Sequence, residues 1–327
     1  MNKNNKTSRF LLRIIISLLL PLIVYIIFKL IRPTTFGSLE ALYIIFQQAM
    51  VATLISLGML LNMTIGIWDF SAGAIVTMVG IILGHVANSF GNILIMIIAT
   101  LLLGIVVGLL DASLYTITRV PSVVITISLL LMYESFASTY KGGLGVSIAK
   151  ELAILGSSPW IFIVSFIMLS VMYIIYNKTK LGFGARAIGS NEIVAKSAGF
   201  NPKKIKFYSF FLAGLFYSVA GLINLSYGTA LSPGKNMSTL ELNFNSMIAV
   251  FIAMYLSKQC NPVIGLIIGN FTMKLLSAGL VAAGVPGTMQ KVLIGVLLIF
   301  FMSFNGAKDN LKEKQADFKN YNSIQNS

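Results

Sequence analysis

Residues 159–199 read PWIFIVSFIMLSVMYIIYNKTKLGFGARAIGSNEIVAKSAG and join the two kinds of segment from which the chain is built. Residues 159–177 are an apolar run close to the length of about 20 residues that a helix needs to cross a bilayer core. Residues 181–199 are a polar, basic island that carries helix start and stop signals. The stretch therefore predicts a membrane span followed by a short, capped helix outside the lipid.

The composition of the chain excludes a soluble protein. It has 327 residues, of which 57% are hydrophobic and only 10% are charged, and its mean hydropathy is +0.87. Ordinary globular domains contain about 25% charged residues. Roughly ten membrane crossings fit into a chain of this length, which leaves no room for a sizeable soluble domain.

Apolar runs of membrane-spanning length recur along the whole chain. They predict an all-α, polytopic membrane helix bundle with about ten transmembrane helices. The predicted spans are residues 10–31, 41–62, 70–88, 92–117, 121–140, 159–177, 207–227, 241–257, 261–282 and 289–305. We expect a single transmembrane domain over residues 10–305, with a basic segment at 1–9 and a polar tail at 306–327.

Lysine and arginine are concentrated at one set of turns. The formal net charge is +14, and segment 178–206 alone holds seven basic residues against one acidic residue, Glu192. Basic residues favour the cytoplasmic side of a membrane protein. With this segment inside, the alternation of spans places both termini in the cytoplasm. The charge follows membrane topology and does not indicate a nucleic-acid partner.

Several kinds of catalytic and cofactor site are excluded by what the chain lacks. Cys260 is the only cysteine and His85 is the only histidine, which excludes an intramolecular disulfide and a multi-histidine metal site. Residues 228–235 miss the P-loop spacing by one residue, and Asn236 stands where serine or threonine is required. We therefore expect no cofactor bound by this chain and no hydrolysis of ATP by that route.

The island carries the signals of one short helix. Ser190 or Asn191 can cap its start, and Glu192 lies in the first turn, where the helix dipole favours an acid. Gly199 is a natural stop, with Pro202 just beyond. The residues expected to form a small apolar face are Ile193, Val194, Ala195 and Ala198. About two turns are unstable alone in water, so the helix must contact the bundle or a partner; the alternative is a solvated, lysine-rich loop.

Several motifs in the chain resemble one known family of membrane proteins. The island is similar to the cytoplasmic coupling loop of ribose-type ABC transporter permeases at Ala187, Ile188, Gly189, Asn191, Glu192, Ala195 and Gly199. Further similar segments are Gly66–Gly73, with one residue inserted, Val120–Thr126, Ala213-Gly214, Ala220-Gly221 and Gly287–Gly295. The resemblance covers about residues 45–305, and several motifs in the same order are more specific than one.

This resemblance implies a function that composition does not show. It implies the permease subunit of an ABC importer in the cytoplasmic membrane of a bacterium, forming the path for a small solute, a monosaccharide such as ribose. The implied partners are a cytoplasmic ABC ATPase that uses the ATP, a second permease subunit, identical or different, and an extracytoplasmic solute-binding protein. The implied contacts with the ATPase are Gly189, Asn191, Glu192, Ala195 and Gly199.

The chain departs from the family pattern at two places. The family has a glycine-rich turn between the eighth and ninth spans, whereas Met254–Pro262 contains no glycine. Lys258 and Gln259 do not readily adopt the backbone angles that glycine allows, so we expect a different turn, as in the degenerate half of a heteromeric pair. In addition, Asp111-Ala112 stands where the family often has Asn-Gly.

Four ionisable residues are candidates for the translocation path. An ionisable residue in the middle of a span costs about 2.5–3.5 kcal/mol, so it usually faces a cavity or a partner. The candidates are Asp69, Asp111, Glu134 and Lys274. For Asp111 and Lys274 the alternative is a position near a helix end, with the side chain reaching the membrane surface. Asp69, beside Trp68, is expected at the interface, and the resemblance to the family implies that it braces the re-entry of a broken helix.

Three other functions remain open. An intramembrane aspartyl protease would pair Asp69 with Asp111, although Gly108–Asp111 lacks the Gly-x-Gly-Asp form. An ion-coupled secondary transporter would not need the capped helix of the island. Within the ABC class, a nucleoside or branched-chain amino acid permease would share the same spans.

Overall fold

The computed structural model of the protein describes residues 3–118, 120–300 and 303. These residues form a bundle of twelve α-helices: α1 Lys3–Ile31, α2 Leu39–Ile65, α3 Ala72–Phe90, α4 Ile93–Thr118, α5 Ser122–Thr139, α6 Trp160–Lys178, α7 Lys180–Ser190, α8 Glu192–Ser197, α9 Pro202–Gly228, α10 Leu240–Tyr255, α11 Pro262–Ala282 and α12 Gly287–Phe300. Two strands of two residues, β1 Val146–Ser147 and β2 Ala230–Leu231, pair antiparallel. Apart from this short ladder, the predicted all-α class is confirmed.

Eight helices of the described residues are long and apolar enough to cross a membrane. They are α2–α6 and α9–α11, and each lies over one of the predicted spans. The first and last predicted spans correspond to shorter apolar helices, Ser17–Ile31 within α1 and Gly287–Phe300, which is α12. The first helix extends back to Lys3, so the predicted segment 1–9 is partly helical. The predicted tail at 306–327 lies outside the described residues.

Helices α2 and α9 lie at the centre of the bundle, and both are buried along most of their length. In lipid, helices associate through the close approach of small residues. Gly108 of α4 and Gly214 of α9 make such an approach, because a Cβ atom added to Gly214 would lie 2.4 Å from Gly108 Cα. The central helix α9 is therefore held against α4 by a backbone contact that leaves no room for a side chain.

The turns between helices collect at two opposite ends of the bundle. At one end, Asn177 in the last turn of α6 accepts a hydrogen bond from Asn261 Nδ2 at 2.8 Å, which joins α6 to the turn between α10 and α11. This end carries residues 178–206 and is called the basic face. At the other end, strands β1 and β2 pair, and Asn88 Nδ2 donates to the Ser147 carbonyl at 2.9 Å. The alternation of turns between the two ends agrees with the order of spans predicted from the sequence.

The glycine-free turn at the basic face is built without left-handed backbone. After α10, residues Leu256–Lys258 form one turn of 3₁₀ helix, and Gln259 follows at φ −98°. Asn261 then caps α11, since its side chain accepts the Val263 N–H at 3.0 Å. None of these residues has a positive φ, so the turn is built from backbone angles that suit ordinary residues.

Candidate functional site

The segment at 178–206 contains two helices, where the sequence predicted only one. Thr179 caps the start of α7, accepting the Gly182 N–H at 3.4 Å. Arg186 then ties α7 to the end of α6: its guanidinium donates to the Tyr176 carbonyl and lies 4.8 Å from the ring centres of Tyr176 and Phe183. Sequence analysis treated Arg186 only as one of the seven basic residues of segment 178–206. Its flanking aromatic residues were the signal for this cation–π anchor.

Gly189 is the point where α7 meets the core helix α2. A Cβ atom at this position would lie 1.8 Å from the carbonyl oxygen of Thr64, near the end of α2. Glycine is therefore the only residue that fits this approach without a shift of the backbone. The contact places α7 directly against the most central helix of the bundle.

Helix α8 is the short helix predicted from the island, and its start is capped by Asn191. The Asn191 Oδ1 accepts the backbone N–H groups of Ile193 at 2.9 Å and Val194 at 3.0 Å. Between the two candidate caps, the structure thus selects Asn191 over Ser190. Glu192, in the first turn, pairs with Lys206 of α9 at 2.9 Å. This ion pair is partly exposed, so it orients the helix more than it stabilises it.

The end of α8 is a Schellman motif. The Phe200 N–H donates to the Ala195 carbonyl and the Gly199 N–H donates to the Lys196 carbonyl, both at 3.1 Å. Gly199 has φ +87°, which is the left-handed conformation that this motif requires. Both ends of α8 are therefore fixed by local hydrogen bonds, and the predicted stop at Gly199 is confirmed.

The apolar face of α8 differs from the expectation. Of the four small or apolar residues predicted to pack together, only Ala195 is buried, while Ile193 is 79% exposed and Val194 is 64% exposed. Ala198 is exposed as well. The reason is length: six residues make fewer than two turns, so only one side chain can face the bundle. A groove of about 550 Å³ lies beside α8, lined by Glu192, Lys196, Gly199, Phe200, Asn201, Pro202 and Lys203.

Asp69 lies inside the protein, in a non-helical segment at residues 66–71 between α2 and α3. It is 1% exposed, so its side chain is enclosed by the protein. Its Oδ2 accepts hydrogen bonds from Tyr217 Oη at 2.8 Å and Asn62 Nδ2 at 3.2 Å. Its Oδ1 accepts from the backbone N–H and hydroxyl of Ser71, at 3.0 and 2.6 Å. These bonds satisfy the buried carboxylate of Asp69 and the backbone N–H of Ser71, as groups removed from water require.

Two further residues extend these bonds across four helices. Asn243 of α10 donates to the Asp69 carbonyl at 3.0 Å and accepts the Gly73 N–H at 3.1 Å. Ser209 of α9 donates its hydroxyl to Asn62 Oδ1. We call this set, made of Asn62, Asp69, Ser71, Ser209, Tyr217 and Asn243, the Asp69 network. Sequence analysis identified only Asp69 among these residues, because the others lie on helices that are distant in the sequence.

Two other candidate carboxylates are also occupied by hydrogen bonds. Asp111 of α4 accepts from the hydroxyl of Tyr133 of α5. Glu134 holds the loop before α10, accepting the N–H groups of Met237 and Thr239, each at 2.9 Å. It also accepts the Thr239 hydroxyl at 2.6 Å. Asp69 and Asp111 are therefore each held by a different tyrosine, an arrangement unlike the shared carboxylate pair of an aspartyl protease.

Lys274 is the candidate with the fewest interactions to its charged group. It is half-buried in α11, and neither ion pair formed among the described side chains includes it. Glu241, an acidic residue of α10, is paired with Lys291 at 3.2 Å. Of the four candidates, Lys274 alone has neither an ion pair nor a side-chain hydrogen bond with another described residue.

The fold and the site together define a class of protein. It is a polytopic membrane protein with a rigid, capped helix presented at its basic face. The chain belongs to the family described as the branched-chain amino acid transport system permease component, which matches residues 41–302. It is thus a multi-pass permease of the cytoplasmic membrane, the non-catalytic component of an ABC importer.

Curated relatives agree with this family. The chain is 26% identical over 289 residues to the autoinducer 2 import system permease protein LsrC of Photorhabdus luminescens, covering 86% of this chain and 87% of that protein. It is 25% identical over 308 residues to the ribose import permease protein RbsC of Escherichia coli K12, covering 89% and 93%. No solved structure matches the chain. The resemblance to ribose-type permeases inferred from the motifs is confirmed.

Proposed function

We propose that this chain forms half of the translocation path of an importer for a small polyhydroxylated solute, a monosaccharide such as ribose. A second permease subunit completes the path, an extracytoplasmic binding protein delivers the solute, and a separate cytoplasmic ATPase supplies the energy. In this arrangement the basic face and both termini lie in the cytoplasm. The names of the two relatives, one importing ribose and the other autoinducer 2, support the substrate class.

The main support for an ATPase interface at α8 is that its apolar residues are exposed. A helix of six residues is too short to be stable by itself, yet α8 is fixed at both ends and turns Ile193 and Val194 outward. Exposed apolar residues beside a groove are typical of a surface that another protein covers. We assign Gly189, Asn191, Glu192, Ala195 and Gly199 to this interface, with Asn191 and Gly199 shaping the helix and Glu192 orienting it.

Motion of the ATPase would reach the core through α7. The chain of contacts runs from α8 to α7, from Gly189 to the Thr64 carbonyl at the end of α2, and from Asn62 on α2 into the Asp69 network. Packed elements of this kind move as units. Asp69 therefore acts as a positioning residue that keeps segment 66–71 in register with α2, α9 and α10.

We assign the translocation path to the side of the bundle that carries Lys274 of α11, which forms no ion pair among the described side chains. Asp111 and Glu134 are occupied by hydrogen bonds within this chain, so they support the walls of a path more readily than they contact a solute. The glycine-free turn at Leu256–Lys258 supports a heteromeric pair, in which the other permease supplies the family's usual turn.

The proposal is tested by purification followed by reconstitution. The tagged chain is purified from its native membrane, the co-purifying proteins are identified by mass spectrometry, and the complex is reconstituted with its binding protein. We expect an ABC ATPase in the complex, and uptake of labelled ribose that requires ATP. Uptake of leucine in place of ribose would assign a branched-chain amino acid permease, and uptake by the chain alone without ATP would assign a secondary transporter.

A further inference from the structure

A small cavity lies at the basic face beside the lipid-facing helix α4. It has a volume of about 230 Å³ and is lined by Tyr115, Thr116, Val120, Lys203 and Lys206. The two lysines are three positions apart on α9, so they project from the same side of that helix. We call this cavity the lysine pocket. Its charge and its place at the edge of the bundle both require explanation, since the pair of Lys206 with Glu192 of α8 leaves Lys203 without an ion pair among the described side chains.

The charge of the lysine pocket favours an anion. Lys203 and Lys206 bring two ammonium groups, and among the described side chains their one ion pair is that of Lys206 with Glu192 at 2.9 Å. Segment 178–206 adds five more basic residues and no other acid. The phenol of Tyr115 provides a further hydrogen-bond donor, and its ring is fixed against Phe210 with ring centres 4.6 Å apart. Ammonium groups with a phenol suit the oxygen atoms of a phosphate group.

The surface next to the pocket is apolar and exposed. Leu110, Leu114 and Ile117 recur along α4 at helical spacing and lead toward the pocket, with Ile117 75% exposed. Val120, at the rim, is exposed as well. In a membrane this stripe faces acyl chains, and the end of α4 lies at the level where lipid headgroups begin. A ligand that fits both surfaces has a phosphate attached to long apolar chains.

We propose that the lysine pocket binds the phosphate headgroup of an anionic phospholipid, with the acyl chains lying along the exposed stripe of α4. Basic pockets between membrane helices on the cytoplasmic side are suited to anionic headgroups. Because Lys206 also holds Glu192, the bound phosphate shares a lysine with α8. Retention of the lipid depends only on the pocket; an effect of the lipid on transport rests, in addition, on the function proposed for α8.

The binding is tested with full-length protein in nanodiscs containing equal parts of phosphatidylglycerol and phosphatidylcholine. Retained lipid is measured by native mass spectrometry after exchange into detergent. We expect preferential retention of phosphatidylglycerol, reduced about fivefold by Lys203→Gln, since one lysine near an anionic membrane surface contributes roughly that factor. The double variant with Lys206→Gln should lose about 25-fold, if the two contributions multiply.

The matched control is Lys204→Gln, which removes the same charge from the same turn of α9 without lining the pocket. It should change retention less than twofold. Equal retention of the two lipids by the unmodified protein overturns the proposal, as does an equal loss in Lys203→Gln and Lys204→Gln, which would indicate only the general surface charge.

Two further measurements identify the source of the phosphate group. Inorganic phosphate is added to nanodiscs of phosphatidylcholine alone, and the thermal midpoint is compared with that in phosphatidylglycerol. Stabilisation by inorganic phosphate to the same degree would assign a soluble anion in place of a lipid. If Lys203→Gln weakens the binding of the ATPase and leaves lipid retention unchanged, the pocket belongs to a protein interface and the lipid assignment is wrong.

Discussion

The non-helical segment at 66–71 and the island at 181–199 both interrupt apolar sequence with glycine and polar residues, yet they lie in opposite environments. Segment 66–71 is enclosed, and Asp69 is satisfied by hydrogen bonds from three helices or their flanking residues. The island lies at the basic face, and α8 is satisfied almost entirely by its own backbone and by Asn191. The hydrogen bonds of segment 66–71 come from neighbouring helices, whereas those of α8 come largely from the island itself.

This difference shows where each polar segment can tolerate change. A buried hydrogen-bond network loses several partners when one member is removed, and each unpaired group costs free energy. An exposed helix loses little stability when a surface charge changes, but its shape and its outward side chains matter to whatever docks on it. Changes in segment 66–71 should therefore affect folding first, and changes in the island should affect transport first.

The largest effect is expected for Asp69→Ala. The substitution leaves Tyr217, Asn62 and Ser71 without their acceptor in a buried site, and we expect the free energy of unfolding to fall by about 1–3 kcal/mol for each donor left unpaired. The measurement is the thermal midpoint of the purified protein in detergent, together with the folded yield. Asp69→Asn is the matched control, since it keeps the shape and one acceptor oxygen, and it should lose less. An unchanged midpoint for the alanine variant would contradict the role of the Asp69 network.

The next largest effect is expected at the contact between the island and helix α2. Gly189→Ala places a methyl group against the Thr64 carbonyl, and overpacking of this kind costs about 1–3 kcal/mol. We expect α7 to move away from α2, with ATP-driven uptake reduced at least about tenfold. Gly228→Ala is the control, because a Cβ atom there meets nothing within 4 Å. Equal uptake by the two variants would disprove transmission through Gly189.

A smaller effect on stability, but a loss of transport, is expected for Glu192→Lys. It breaks the pair with Lys206, whose partly exposed position limits the change in stability to about 1 kcal/mol. Gly199→Pro should act in the same way, because proline does not adopt the φ of +87° found there. Both variants should insert normally and take up no solute. Glu40→Lys, an exposed charge reversal at the opposite end of the bundle, controls for charge; normal uptake by both island variants would disprove the ATPase interface.

The smallest effect concerns Cys260, in the turn after α10. Burial raises the pKa of this thiol, while a hydrogen bond with Ser17 opposes the rise. Since the thiolate is the reactive form, alkylation near neutral pH should be slower than that of a free thiol and should increase steadily with pH. An impermeant maleimide added to intact cells should leave Cys260 unlabelled; strong labelling would place the basic face outside and reverse the topology.

Much of the fold was predictable because membrane spans have a simple signal. Each span is a continuous apolar run whose length is set by the bilayer, and the eight long helices lie where those runs are. The start and stop of α8 were predictable for a related reason, since Asn191 and Gly199 act through bonds to nearby backbone. Helix α7 was missed because its stability comes from Arg186 stacking on Tyr176 and Phe183, a contact that the charge pattern conceals.

The sequence by itself determined the membrane location, the order of the spans, the stop of α8 at Gly199 and the family, because these depend on local composition and short motifs. Only the tertiary structure decided which polar residues are buried and which are free. Asp69 and Tyr217 are 148 positions apart, and their hydrogen bond follows from the packing of α9 against the segment after α2. The same packing leaves Lys274 without a dedicated partner and brings Lys203 and Lys206 beside Tyr115, because proximity between distant helices is set by how their surfaces fit.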